Sequence, residues 1–131
     1  MPVSTKQARA FLEAKERQRQ EGLDRRFERA WTDFRRIVDR ILADYRPLRL
    51  YQWGSLLDRS RFSERSDIDL AVEGVTDPAT FSAMFGMADR LTDLPLDLVA
   101  LERIEPEFAG LIRRKGVLVY ERGTTDRPAA G

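Results

Sequence analysis

The stretch Trp53–Gly74, WGSLLDRSRFSERSDIDLAVEG, decides the fold of this chain. The extended apolar approach to it, from Leu50 to Trp53, ends at Gly54-Ser55, a pattern typical of a corner between a strand and a helix. The backbone N–H groups of a first helical turn and the Ser55 hydroxyl can both donate hydrogen bonds to phosphate oxygens. We therefore predict that Gly54 and Ser55 bind the phosphates of a ligand.

Two aspartates follow on an apolar strand. The segment Asp67-Ile-Asp-Leu-Ala-Val72 alternates strictly, so a strand would place Asp67 and Asp69 on one face and the large apolar side chains on the other. Same-face neighbours have Cα atoms about 6.5–7 Å apart, which lets both carboxylates reach one cation. Mg²⁺ binds one or two protein carboxylates together with substrate phosphate oxygens. The pattern predicts a magnesium and triphosphate site; the alternative is a solvent-facing strand edge.

A third carboxylate, Asp97, interrupts the otherwise apolar segment from Leu94 to Leu101. A charge in such a segment is rarely fully buried unless it is paired or metal-bound. We expect Asp97 to lie beside Asp67 and Asp69 and to share in metal binding. The alternative is a structural salt bridge from Asp97 to an arginine.

Composition restricts the chemistry. The chain has 131 residues, enough for one domain, with 42% hydrophobic and 34% charged residues and neither cysteine nor histidine. This excludes disulfides, thiolate nucleophiles, histidine bases and zinc sites built from those residues. The net charge of +1 gives no global attraction to nucleic acid, so direct nucleic-acid binding is not expected. The apolar runs are too short for a membrane span and no secretory signal is visible, so we expect a cytoplasmic protein without a membrane partner.

The N-terminal part, residues 1–47, is predicted to be a helical extension packed on the domain. Thr5–Gln20 favours one helix with Ser4 as its cap, and Gly22 is expected to mark a break or a kink. A second helix, 23–45, has apolar residues at three- and four-residue spacing. Its apolar face either packs on the sheet of the same domain or forms a groove for a partner helix.

The remainder, residues 48–122, is predicted to form one α/β (α+β) domain with a small mixed sheet backed by helices. The predicted strands are Leu48–Trp53, Asp67–Glu73, Leu96–Leu101 and Val117–Tyr120, and the predicted helices are Leu56–Ser60, one starting at Asp77-Pro78, and one from Pro106 to Gly116 with Phe108, Leu111 and Ile112 inward. Arg59 and Arg61 are expected to be surface charges rather than phosphate ligands. Residues 123–131 are expected to be a disordered tail.

Gly54-Ser55, then Asp67 and Asp69 within SDIDL, then Asp97, resemble the signature of the DNA polymerase β-type nucleotidyltransferase superfamily, and the small size resembles its minimal nucleotidyltransferase branch. The resemblance covers Leu48 to about Tyr120. It implies transfer of a nucleoside monophosphate, AMP from ATP, to a hydroxyl or phosphate acceptor. It further implies two Mg²⁺ ions held by the aspartates, with Asp97 also accepting the acceptor proton.

The same resemblance implies a partner. Minimal members are commonly encoded beside a HEPN-domain toxin and act as antitoxins by adenylylating one of its tyrosines. Two alternatives stay open: a catalytically silent module of the same fold that masks its partner through the helix 23–45, and a small-molecule nucleotidyltransferase. The sequence also leaves open whether the chain forms a homo- or hetero-oligomer.

Overall fold

A four-stranded mixed sheet organises the part of the chain that the computed structural model describes, residues 4–123. Its strands lie in the order β3-β2-β1-β4. β1 is antiparallel to both β2 and β4, whereas β2 and β3 are parallel. The strands are β1 (Arg49–Trp53), β2 (Ile68–Glu73), β3 (Leu96–Ala100) and β4 (Val117–Glu121), and the helices are α1 (Thr5–Tyr45), α2 (Pro78–Asp89) and α3 (Pro106–Lys115). The predicted α/β class and mixed sheet are confirmed.

The sheet is covered on both faces. Leu50 and Leu70, which are fully buried, belong to the larger apolar core together with residues of α1 and α2. Tyr51 and Ala71, which point the other way because strand side chains alternate, pack with α3 in a smaller core. Ala71 and Asp69, the register partners of Tyr51 and Trp53, therefore lie on the α3 side of the sheet.

The N-terminal part is one continuous helix, so the prediction of two helices separated at Gly22 was wrong. α1 runs from Thr5 to Tyr45, and its start at Ser4 is confirmed by a capping box with Gln7. A single helical glycine costs only about 1 kcal/mol relative to alanine. The flanking segments are rich in Ala, Leu, Gln, Glu and Arg, all good helix formers, and they carry the helix through Gly22.

The two halves of α1 have different surroundings. The C-terminal half buries Phe34, Ile37 and Ile41 in the larger core, so its apolar face packs within the same chain. The N-terminal half extends outward, with Phe11 61% and Leu12 64% exposed. None of the helices described between residues 4 and 123 has the length and apolar character needed to cross a membrane.

Several local predictions need correction. The helix expected at Leu56–Ser60 is replaced by two short 3₁₀ turns, Ser55–Leu57 and Arg59–Arg61. In α3, Phe108 and Leu111 are partly exposed instead of inward, because Ala109 and Ile112, three residues apart, take the face that meets the sheet. The predicted tail, apart from Gly123, lies outside the described residues.

Candidate active site

Two aspartates lie side by side on neighbouring strands. Asp69 of β2 and Asp97 of β3 are register partners in the parallel pair, where strands lie about 4.8 Å apart. Asp67 precedes β2 by one residue, at the same end of the sheet. The structure thus brings the three aspartates, which were predicted from separate segments, to the end of the sheet where β2 and β3 begin. It does so on the α3 face, because Asp69 is also the register partner of Trp53.

Gly54 brings the Gly54-Ser55 corner into contact with Asp69 of β2. It follows Trp53 directly and has a φ of +86°, a conformation that L side chains rarely adopt. A Cβ atom at this position would lie 2.0 Å from Oδ2 of Asp69. Glycine is therefore required here twice, once for the backbone conformation and once because the Asp69 carboxylate packs directly on its Cα.

Burial and mutual repulsion act on the carboxylates of this site. Asp69 is only 8% exposed. Its pKa is raised from 3.8 to about 7, first by burial and then by the negative charges of Asp97 and Asp67. The pKa of Asp97 is also raised, by burial and then by the charge of Asp67. Burial and like charges both disfavour the ionised carboxylate, and a bound cation would reverse that balance.

Within residues 4–123, no basic side chain forms an ion pair with these carboxylates, Asp67, Asp69 and Asp97. The alternative of a structural salt bridge at Asp97 is therefore wrong for this part of the chain. A solvent-facing strand edge is equally wrong for Asp69, which is buried.

Ser55, the predicted phosphate ligand, lies in a small hydroxyl network. Its Oγ donates to Oγ of Ser66 over 2.7 Å, and Ser66 Oγ also accepts from the backbone N–H of Ser63 at 2.8 Å. Ser66 is 8% exposed. Ser66 was not predicted as a site residue from the sequence, although it lies directly before Asp67 within the motif SDIDL. Donation from Ser55 to a phosphate would require its hydroxyl proton to turn away from Ser66.

The loop that precedes Asp67 is held by α1. Arg26 donates through Nη2 to the backbone carbonyl of Ser66 at 3.2 Å. Arg59 pairs with Asp24 of α1 at 2.6 Å and lies over the ring of Phe27. The prediction that Arg59 is not a phosphate ligand agrees with this placement, since its guanidinium is directed to the helix.

A cavity of about 610 Å³ opens next to Gly54. Trp53 and Phe108 form part of its wall and meet edge to face, with ring centroids 5.5 Å apart. Arg61 and Lys115, both exposed, also line it. Gly54 is the link between this cavity and the aspartates, because it lines the first and contacts Asp69 of the second.

The residues at the acidic edge fit a hard divalent cation by donor type. They supply only carboxylate oxygens, which Mg²⁺ prefers. The pKa values of Asp69 and Asp97 are raised, first by burial and then by neighbouring negative charge. Within residues 4–123, however, no three acidic side chains are drawn close enough together to form a metal-binding group. Mutual repulsion opposes such convergence when no cation is present. The metal site at Asp67, Asp69 and Asp97 stays a prediction.

The comparisons with known proteins identify a family. Residues 37–125 match the family model described as "Polymerase beta, Nucleotidyltransferase". This segment begins inside α1 and contains the Gly54-Ser55 corner and all three aspartates. A search of curated proteins finds no match.

Proposed function

Because the chain belongs to the polymerase beta nucleotidyltransferase family, we propose that it transfers AMP from ATP to a hydroxyl acceptor, with Asp67, Asp69 and Asp97 at the reaction centre. The family supports nucleotidyl transfer in general. The observation that carries the proposal for this chain is the juxtaposition of Asp69 and Asp97 on neighbouring strands, directly against Gly54.

In the proposed reaction the acceptor oxygen forms a bond to the α-phosphorus of the nucleotide. The bond from that phosphorus to the oxygen bridging it to the β-phosphorus breaks, and pyrophosphate leaves with the electron pair. The acceptor proton passes to a carboxylate, which we assign to Asp97. An aspartate near its ordinary pKa is a weak base, so this proton transfer would depend on a lowered pKa of the acceptor hydroxyl, which Mg²⁺ would supply when bound.

The remaining site residues would bind the metal and orient the nucleotide. Asp67 and Asp69, with Asp97, would hold Mg²⁺, which when bound supplies charge neutralisation of the triphosphate and lowers the pKa of the acceptor hydroxyl. Gly54, which has no side chain, leaves the space that the Asp69 carboxylate occupies and so helps to fix the position of that carboxylate. Ser55 would offer its hydroxyl to the terminal phosphates in exchange for its bond to Ser66.

We further propose that the acceptor is a tyrosine of a HEPN-domain toxin and that the chain acts as its antitoxin. The support is the resemblance of the motifs to the minimal nucleotidyltransferase branch. The exposure of the aspartates also supports a macromolecular acceptor. Asp67 and Asp97 are only partly buried, so a side chain of another protein can approach them.

A second candidate is a module that neutralises its partner by binding alone. The apolar face of α1 that this role would need is largely buried in the chain's own core. What favours the candidate is the outward half of α1, where Phe11 and Leu12 are exposed and belong to neither of the two apolar cores described in residues 4–123.

The test is a transfer assay with ATP labelled on the α-phosphate, Mg²⁺ and a HEPN-domain protein encoded beside the chain. We expect label on the partner, lost in Asp69→Asn and Asp97→Asn and retained in Asp39→Asn, which alters an exposed carboxylate of α1. A stable complex without label would support binding alone. Label on a small hydroxyl compound but not on protein would contradict the antitoxin assignment while preserving nucleotidyl transfer.

A further inference from the structure

We propose that Arg26 of α1 is a positioning residue for Asp67, which it orients through the backbone carbonyl of Ser66. This inference rests on the proposed function, because it gives Arg26 a role in placing one of the three carboxylates at the reaction centre. Arg26 precedes the segment 37–125 that matches the family model, so membership of the family does not account for it. The N-terminal helix would thus contribute to the site as well as to the core.

The backbone on both sides of Asp67 is held by hydrogen bonds. β2 begins at Ile68, so Asp67 precedes the paired residues of the strand. The peptide group before it is held at the Ser66 carbonyl by Nη2 of Arg26, at 3.2 Å. The peptide group after it is held at the Ile68 N–H, which donates to the carbonyl of Pro95 at 2.9 Å. Because peptide groups are planar, directing these two groups restricts φ and ψ of Asp67 and hence the direction of its side chain.

The guanidinium of Arg26 serves this carbonyl instead of a carboxylate. Arg26 is partly buried and takes part in none of the ion pairs formed within residues 4–123. Its Nε is buried and has no hydrogen-bond partner in the same part of the chain. Burying a charge without an opposite charge is costly, and a hydrogen bond from a charged donor is stronger than one between neutral groups. The bond to Ser66 therefore accounts for the placement of this side chain.

The contact made by Arg26 is the one nearest to Asp67. α1 also holds the loop 59–66 through three side-chain contacts, to Arg59, Phe62 and Glu64. Those contacts lie earlier in the loop, whereas Arg26 binds the residue directly before Asp67. The hydroxyl of Ser66 is held separately, by Ser55 and by the backbone of Ser63. Loss of the Arg26 bond should therefore free the peptide group next to Asp67 and leave the rest of the loop in place.

The first experiment measures AMP transfer as a function of Mg²⁺ concentration. Arg26→Met keeps an unbranched apolar side chain but removes every donor. Arg25→Met is the matched control, since Arg25 is exposed and forms no ion pair within residues 4–123. For Arg26→Met we expect kcat to fall about tenfold and the Mg²⁺ concentration at half-maximal rate to rise, the cost of losing a residue that orients a metal ligand. A smaller folded fraction alone would lower the rate by the same factor at every Mg²⁺ concentration.

The second experiment measures amide hydrogen exchange in the metal-free chain without nucleotide. We expect the backbone amides of residues 66–68 to exchange at least about threefold faster in Arg26→Met, because local opening becomes easier when one of the two bonds beside Asp67 is lost. The amides of β1 should exchange as in the unmodified chain, and Arg25→Met should show no change in either segment. A general loss of stability would instead speed exchange in both segments.

The outcomes separate this inference from the proposed function. Unchanged exchange at residues 66–68, or an equal increase in β1, would overturn the role of Arg26, as would transfer with the rate and Mg²⁺ dependence of Arg25→Met. If Arg26→Met does not fold, Arg26→Lys replaces it; its ammonium reaches less far than Nη2, so we expect the same local changes at a smaller size. Absence of transfer in the unmodified chain would contradict the proposed function itself, whereas the exchange experiment reports on Arg26 and Asp67 without any transfer.

Discussion

Replacement of Asp69 by asparagine should make the metal-free protein more stable while abolishing transfer. The pKa of Asp69 is raised from 3.8 to about 7 in the folded chain. Between about pH 4 and pH 7 the folded state therefore binds more protons than the unfolded state, so the free energy of unfolding falls as the pH rises. Below that window the carboxyl group is neutral in both states and the penalty is absent.

The pKa shift of Asp69 sets the size of the expected change in the free energy of unfolding. About three pKa units correspond to an upper bound on the order of 4 kcal/mol, and relaxation of Asp97 and Asp67 will reduce it to about 2–3 kcal/mol. Asparagine has nearly the same shape as aspartate and carries no charge, so it should fit against Gly54. We expect Asp69→Asn to be about 2–3 kcal/mol more stable than the unmodified chain at pH 8, and the gain to shrink towards pH 4.

The assay is urea unfolding at a series of pH values in the presence of a chelator. Asp39→Asn serves as the control, since it removes one exposed carboxylate of α1 and should show no such pH-dependent gain. Added Mg²⁺ should stabilise the unmodified chain at pH 8 and not Asp69→Asn. A stability difference that does not vary with pH, or a variant less stable than the unmodified chain at pH 8, would refute the reasoning.

Three further substitutions test neighbouring parts of the argument. Gly54→Ala should cost about 1–3 kcal/mol in unfolding free energy from backbone strain and reduce transfer more than tenfold, because its Cβ would displace the Asp69 carboxylate; urea unfolding and the labelled-ATP assay measure both. Ser66→Ala should cost about 1–3 kcal/mol in the same unfolding experiment, since Ser55 and Ser63 lose a buried partner. Gly22→Ala should raise the midpoint of unfolding by the equivalent of about 0.5–1 kcal/mol, as expected within a continuous helix; a destabilising effect would favour a break there.

The acidic pair was predictable from the sequence because it depends only on local periodicity. Strict alternation from Asp67 to Val72 predicts that Asp67 and Asp69 share one side whatever the strand pairs with, although β2 itself begins at Ile68. The proximity of Asp97 was a weaker inference, since register between β2 and β3 is set by contacts distant in sequence. The prediction that Asp97 lies beside Asp69 is confirmed by their register. Its physical basis is that a charge in an apolar strand is costly unless it is paired or metal-bound.

The errors arose where tertiary contacts outweigh local signals. Gly22 looked like a helix end, but the packing of residues further along α1 and the strong helix formers on both sides outweigh one glycine. Phe108 and Leu111 looked like core residues, yet a ten-residue helix can turn only one side to the sheet, and smaller Ala109 occupies that side with Ile112. The residues so displaced are the ones that line the cavity beside Gly54.

The contacts of α1 indicate that it belongs to the same folding unit as the three aspartates. Ile37 and Ile41 are fully buried in the core beneath the sheet, so a domain starting at residue 48 would expose the apolar residues that they cover. Further along the helix, Arg26 and Asp24 hold the loop that delivers Asp67. The predicted boundary between residues 47 and 48 therefore does not divide two independent structural units. The position of the aspartates depends on the residues on both sides of it.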